Sequence, residues 1–294
     1  MKSTNKGFRI LSHVVLILFS IIIIIPLLLV VSSSLTEEQV LLGSGYSILP
    51  IHISWDAYKY LFTGSGNIFG AYGVSILVTV IGTVAGLLMT VLLAYALSIK
   101  DLPFRKGMSF YVFFTMLFNG GLIPTYMMYV NAFHIKNTIW ALIIPSLLVN
   151  AFYIIIARSF FASNIPEEVL EAARMDGAGQ INVLFKVVMP MSLPILATIG
   201  LMIGLGYWNN WTNGLYYVTD QKLYSIQQLL TEMVRNMQAL QSGDFVAANS
   251  ANVNLPSTAI KMGTAVLGVI PVMIAYPFFQ KYFVKGITVG AVKG

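Results

Sequence analysis

Residues 163–194 read SNIPEEVLEAARMDGAGQINVLFKVVMPMSLP, a polar interruption between two long apolar runs. Pro166 suits a first helical position, and Glu167 and Glu168 stand where a helix N-terminus favours negative charge. Ala172 and Ala173 keep this short helix slim enough for another surface to approach. Asp176-Gly177 is a stop-and-turn signal. A second helix is predicted from about Gly179, with Ile181, Leu184, Phe185 and Val188 on one face at helical spacing. Pro190 and Pro194 are expected to end it at a membrane surface. The expected product is a bent pair of short helices with an apolar face, rigidly joined to the apolar run that follows. Its shape suits a peg in a socket.

Outward from this segment the chain is overwhelmingly apolar. Of 294 residues, 57% are hydrophobic and 10% charged, where soluble domains carry about 25% charged residues. With a mean hydropathy of +0.80, too little polar surface remains to cover a soluble core. A bilayer core of roughly 30 Å needs about 20 apolar residues in a helix. Six stretches qualify, at 9–31, 72–98, 108–130, 139–161, 191–211 and 262–283. The first follows Lys2, Lys6 and Arg9. Its apolar run from Leu11 to Val31 is too long for a signal-peptide core and no A-x-A site follows, so an uncleaved span is expected.

With the N-terminus inside, cytoplasmic segments collect twelve of the seventeen basic residues: Lys2, Lys6, Arg9; Lys100, Arg105, Lys106; Arg158, Arg174, Lys186; and Lys281, Lys285, Lys293. Lys59, Lys136, Lys222, Arg235 and Lys261 are left to longer outside segments. This bias predicts both termini in the cytoplasm. It also accounts for the +6 net charge without a nucleic-acid partner. Residues 32–71 and 212–261 are long outside loops, the second rich in Gln and Asn. Such loops in compact proteins are usually functional or disordered.

Several chemistries are excluded or disfavoured. Cysteine is absent, so there is no disulfide framework and no thiolate metal site. The phosphate-loop pattern G-x-x-x-x-G-K-[ST] and the H-E-x-x-H and G-x-S-x-G motifs are missing, and His13, His52 and His134 are scattered. No catalytic, metal or cofactor site is expected. No Asp or Glu falls within the six stretches, whereas ion-coupled carriers commonly keep an intramembrane ionisable group. Energy for moving a solute must therefore come from another subunit.

Glu171-Ala172-Ala173, Gly177 after three intervening residues and Val187-Val188-Met189-Pro190 after nine more match the pattern E-A-A-x3-G-x9-I-x-L-P. Val187 stands for Ile and Met189 for Leu, both apolar swaps. The pattern resembles the signature of permease subunits of binding-protein-dependent ATP-binding-cassette (ABC) importers. The tail, Tyr282 to Thr288 and Gly290 to Gly294, is similar to that of the smaller maltose-type permease subunit. Asn119 to Tyr126, NGGLIPTY, resembles a branch associated with complex oligosaccharides, and Trp208-Asn209-Asn210-Trp211 fits the sugar permeases.

The resemblance implies an all-α membrane protein of six transmembrane helices with the type I importer permease fold, multi-pass in a bacterial inner membrane. Residues 1–71 would hold the first helix and first outside loop, 72–283 the permease core, and 284–294 a cytoplasmic tail lying along the ATPase. Within the core, 163–194 would be the coupling loop and 212–261 the second outside loop, reaching into the binding protein. Carried over by position, Glu171, Ala172, Ala173, Asp176 and Gly177, with Phe185 and Pro190, would couple to the ATPase. Implied partners are a second, non-identical permease, two ATPase subunits, an extracytoplasmic substrate-binding protein and an oligosaccharide.

Sugar sites combine aromatic faces with hydrogen-bonding groups. Asn119, Tyr126, Asn150, Tyr153, Trp208 and Asn209 are the candidates along the pathway. Each also has a plainer reading as inter-helix packing or an interfacial anchor. An ABC importer for another solute and an ion-coupled secondary transporter are the alternatives, the first disfavoured by the tail and the second by the uncharged spans.

Overall fold

A computed structural model describes residues 6–63, 67–241 and 257–291, and the described residues form helices and no strand. In chain order the helices are α1 (Lys6–Ser34), α2 (Glu38–Ser44), α3 (Asp56–Thr63), α4 (Ile68–Ser98) and α5 (Arg105–Leu117). Next come α6 (Leu122–Met127), α7 (Trp140–Ile143), α8 (Ala151–Asn164), α9 (Glu167–Met175) and α10 (Gln180–Val183). The remainder are α11 (Met189–Met191), α12 (Leu193–Trp208), α13 (Thr212–Tyr217), α14 (Ile226–Gln241) and α15 (Ser257–Ala291). The chain divides into two compact units, Met1–Ile68 with Leu230–Pro271, and Phe69–Leu229 with Val272–Gly294.

In the first unit α1 is apolar all round and its membrane-length window is wholly unburied, as befits a helix whose surroundings are lipid or another subunit. Its C-terminal serines are buried, and Ser34 Oγ lies 2.8 Å from the Tyr58 hydroxyl. The Glu38 carboxylate accepts from Thr258 N and Ala259 N, both at 2.9 Å. It thereby supplies charge and acceptors to the orphan N–H groups that open α15.

The second unit is built on α4, whose buried face includes Val78, Val91, Ala94 and Leu97. Gly82 and Gly86 open this face to α12. A Cβ on Gly82 would come 2.4 Å from Tyr207 Cζ, and one on Gly86 would come 3.2 Å from the Leu148 carbonyl oxygen. Small residues let backbones approach closely where the surrounding lipid offers no hydrophobic drive.

Among the described residues three helices, Gly7–Ser34, Ile68–Ser98 and Thr258–Phe278, are long and apolar enough to cross a membrane. Two bent pairs bring the candidates to five. The predicted stretch 108–130 is interrupted: α5 ends at Leu117, and the chain resumes as α6 and a π turn, Met128–Ala132, after a 113° bend. Gly121 at φ 85° makes that reversal, with Asn119 Oδ1 accepting from Gly121 N at 2.9 Å. Stretch 139–161 is also divided, between α7 and α8, with Ser146 at φ 62°.

Unwound backbone at membrane depth must find partners inside the protein. Here the partners come from the end of α12 and from α13. The Tyr207 hydroxyl donates to the Ile143 carbonyl at 2.9 Å, and Asn213 Nδ2 donates to the Pro145 carbonyl at 3.0 Å. The break between α7 and α8 is thus satisfied by side chains more than sixty positions away.

Candidate functional site

The segment 163–194 folds as the expected pair of short helices, joined by a turn whose hydrogen bonds are specific. Ala178 N donates to Ala173 O at 3.1 Å, and Gly177 N to Arg174 O at 3.0 Å. This six-to-one and five-to-two pairing is a Schellman ending, which needs a left-handed residue just past the helix. Gly177 occupies that position at φ 80°. A Cβ built on it meets nothing within 4 Å. Glycine is therefore required by the backbone angle and not by crowding.

The N-terminus of α9 is tied to the α4–α5 connection by an ion pair between Lys100 and Glu167. The hydrogen bond within this pair raises the Lys100 pKa and lowers that of Glu167. The start of α10 is held by the Tyr95 hydroxyl, which donates to Gln180 Oε1 at 2.7 Å. The second helix is anchored by Val183, Leu184 and Val188, which are 0%, 1% and 1% exposed.

Here the single apolar face expected from the sequence is corrected. Ile181 and Phe185 point outward, at 71% and 45% exposure, while Leu184 and Val188 are core. The 181/185 row and the 184/188 row are separate i, i+4 rows, and a π turn over Leu184–Val188 sets their phase. The second helix ends at Met191, between Pro190 and Pro194, and the chain turns 88° at Ser192 into α12, so the joint to the next apolar run is a sharp bend.

What remains open to a partner is a ridge around the turn. Glu171, Ala172, Asp176 and Gly177 are exposed along it. Met175 (87% exposed), Ile181 and Phe185 form its apolar part. Ala173 is half-buried against the core, a role its small size permits.

The six pathway candidates each make contacts of their own. Asn119 supports the break before α6. Asn150 caps α8, its Oδ1 accepting from Phe152 N at 2.9 Å. Tyr153 tilts against Phe152. Trp208 is buried and stacks on Tyr72 with ring centroids 6.2 Å apart. Asn209 is exposed just past α12. Tyr126 belongs to an aromatic group, stacked on Tyr217 at 5.5 Å with Tyr129 edge-on at 6.0 Å. Nearby in sequence to Tyr217, Asn137 Oδ1 accepts from Thr219 N at 2.6 Å, fastening the turn before α7 to the extended segment after α13.

Tyr217, Tyr207 and Asn213 were not among the residues singled out from the sequence, nor was Gln228, which a Cβ on Gly214 would strike at 2.0 Å. A signal for the α4–α12 approach does exist, since Gly82-x3-Gly86 and Gly200-x3-Gly204 both have the small-xxx-small spacing. Residues 242–256, within the stretch expected as the second outside loop, lie outside the described residues, as do the side chains of the expected tail from Lys281 onward. Among the described residues no group of His, Asp or Glu is arranged to hold a metal ion.

Comparison with known proteins extends over nearly the whole chain. Residues 2–289 match the family described as binding-protein-dependent transport system inner membrane component. The chain is 38% identical over 290 residues to the polygalacturonan/rhamnogalacturonan transport system permease protein YtcP of Bacillus subtilis, covering 99% of each. It is 35% identical over 260 residues to the protein LplC of the same organism, covering 87% of this chain and 85% of LplC. Among solved structures, a crystal structure of a bacterial ABC transporter involved in the import of the acidic polysaccharide alginate contains a chain that superposes with a TM-score of 0.78. That chain is 28% identical, and the match covers 96% of this chain and 99% of that one.

Proposed function

We propose, on the premise that this chain belongs to the family of binding-protein-dependent transport system inner membrane components, that it is half of the translocation pathway for an oligosaccharide. Membership makes it a multi-pass transport subunit and not an enzyme. In the proposed assembly it pairs with a second, non-identical permease above two ATPase subunits and below a substrate-binding protein. One relative is named for polygalacturonan and rhamnogalacturonan transport, and the structural neighbour is involved in alginate import; both support a glycan substrate. The maltose-type tail supports it independently.

The observation that carries the mechanism is the turn at Gly177, with its surrounding ridge of Met175, Ile181 and Phe185. In this reading the ridge, with Glu171, Ala172, Ala173, Asp176 and Pro190, seats in a cleft on the ATPase. Closure of the ATPase pair moves α9 and α10, and the buried anchors Val183, Leu184 and Val188 pass that movement into the core around α4 and α12. The 88° bend at Ser192 makes the segment a lever arm across the end of α12. Substrate biases the cycle only through its different affinity for the two states of the pathway.

The proposed topology has six spans, with α5–α6 and α7–α8 each crossing once as broken helices and both termini in the cytoplasm. The basic residues inside and the Lys100–Glu167 pair, which joins two segments assigned to the same side, support this orientation. Residues 212–261 then face the binding protein, and residues 284–294 face the ATPase.

The test is reconstitution of the full complex with its binding protein and measurement of oligosaccharide-stimulated ATP hydrolysis, with oligogalacturonides as the first probes. Gly177→Val is expected to abolish stimulation and uptake while the chain still inserts and assembles with the second permease. Wild-type stimulation by that variant would overturn the coupling role. Stimulation by amino acids or polyamines, and by no sugar, would overturn the substrate class.

A further inference from the structure

The connection between α4 and α5 carries a cleft lined by none of the proposed coupling residues. It has a volume of about 610 Å³, and four of its lining side chains are basic: Lys100, Arg105, Lys106 and Arg158. Two of them are drawn together by one acceptor. Arg105 Nε donates to the Leu97 carbonyl at 2.9 Å, and Arg158 Nε donates to the same oxygen at 3.2 Å. The last carbonyls of α4 favour cations there, and each guanidinium keeps further N–H donors beyond that bond. Among the described residues Glu167 is ion-paired with Lys100, and no carboxylate lies within ion-pair distance of Arg105, Lys106 or Arg158. Asp101 acts electrostatically on Lys100 from the adjoining position. Like charges held this close repel unless an anion lies between them.

Two further features define that anion. The cleft is lined by Ser109, whose Oγ is removed from solvent and has no hydrogen-bond partner. α5 begins at this place without a side-chain cap; Arg105 N is taken by the Leu102 carbonyl at 3.3 Å, and the next N–H groups, of Lys106 and Gly107, are donors of the kind that receive phosphate. The rim, in contrast, is apolar. Leu102 lines the cleft, and Phe104 is 88% exposed with its backbone in the left-handed region at φ 58°. A soluble anion makes no use of an exposed phenyl ring, whereas a phospholipid presents a phosphate and acyl chains together.

We infer that this cleft binds the phosphate group of an anionic phospholipid at the membrane surface where α4 ends and α5 begins. Arg105, Lys106 and Arg158 neutralise the headgroup, Ser109 donates to a phosphate oxygen, and Phe104 lies against the chains. Basic pockets between spans on the cytoplasmic side suit such lipids. The assignment to the cytoplasmic leaflet rests on the proposed orientation, while the binding itself does not depend on it.

The experiment uses the full chain purified with its complex in a neutral detergent. Phosphatidylglycerol, phosphatidylcholine and inorganic phosphate are titrated separately, with native mass spectrometry and the thermal unfolding midpoint as readouts. Phosphatidylglycerol is expected to add one tightly held lipid and raise the midpoint, and phosphatidylcholine to do neither. Lys106→Gln removes charge without touching the Leu97 bonds. It is expected to weaken phosphatidylglycerol binding about fivefold, the factor set by about 1 kcal/mol per basic side chain near a membrane. Arg158→Lys keeps the charge and should bind within about twofold of the wild type. Equal stabilisation by inorganic phosphate would overturn the lipid assignment. Phosphatidylglycerol binding that ignores Lys106→Gln would overturn the site.

Discussion

Replacing Gly82 by alanine tests how the broken fourth stretch is held. The new methyl carbon would stand 2.4 Å from Tyr207 Cζ and 2.6 Å from both Cε atoms. Ordinary contact begins at 3.4 Å, so the ring must retreat by about 1.0 Å, the difference between 3.4 and 2.4. Tyr207 is only 4% exposed and has little room to move. A shift of that size is enough to break its 2.9 Å bond to the Ile143 carbonyl. Overpacking of this kind costs about 1–3 kcal/mol, and the lost bond adds about 1 kcal/mol. Gly82→Ala should therefore destabilise the chain by about 2–4 kcal/mol, summing those two terms. Tyr207→Phe, which loses the bond and keeps the ring, should cost only about 1 kcal/mol. Reversible unfolding in mixed micelles measures both. In a Tyr207→Ala background the methyl at position 82 meets no ring, and its penalty should disappear. Additive penalties in that double-mutant cycle, or a Gly82→Ala variant as stable as the parent, would refute the packing account.

Asn213→Ala leaves the Pro145 carbonyl without its donor and is expected to cost about 1–3 kcal/mol in the same unfolding assay. Asn150→Ala removes the α8 cap and should cost about 1 kcal/mol while oligosaccharide affinity stays unchanged. A large loss of affinity without loss of stability would place Asn150 in the pathway. For the Lys100–Glu167 pair, the lowered Glu167 pKa means its contribution is present above the ordinary carboxylate range and lost as pH falls through the folded value. The raised Lys100 pKa means its contribution is present below the ordinary lysine range and lost as pH rises through the folded value. The tie should therefore persist across neutral pH. Carboxyl chemical shifts should show Glu167 titrating higher in Lys100→Gln than in the parent, with the difference shrinking at high salt because the pair is exposed.

The segment 163–194 shows how far local chemistry could be read in advance. Glu167 and Glu168 opening α9, and the Asp176-Gly177 turn closing it, appear where the residue types placed them. These features depend on hydrogen bonds within a few residues. The division of Ile181 and Phe185 from Leu184 and Val188 did not follow from periodicity. A helical wheel identifies rows, but the core decides which row it covers, and a π turn shifts the phase. Asn119 and Asn150, expected as hydrogen-bonding groups in a pathway, also accept from backbone N–H groups two residues on, a local use that residue type alone does not reveal.

By itself the sequence determined that this chain lives in a membrane, because 57% hydrophobic residues against 10% charged leave no way to cover a core with polar surface. It also determined the Glu171-to-Pro190 pattern and the glycine-forced turn within it, since a left-handed backbone angle is a local demand. Tertiary structure alone decided that Tyr207 and Asn213 supply the carbonyls of Ile143 and Pro145, and that Gly82 must be bare to admit the ring. Those pairs lie 64 and 68 positions apart. No local pattern encodes such a pairing, because the need for a donor arises only once the helix has broken and water has been excluded.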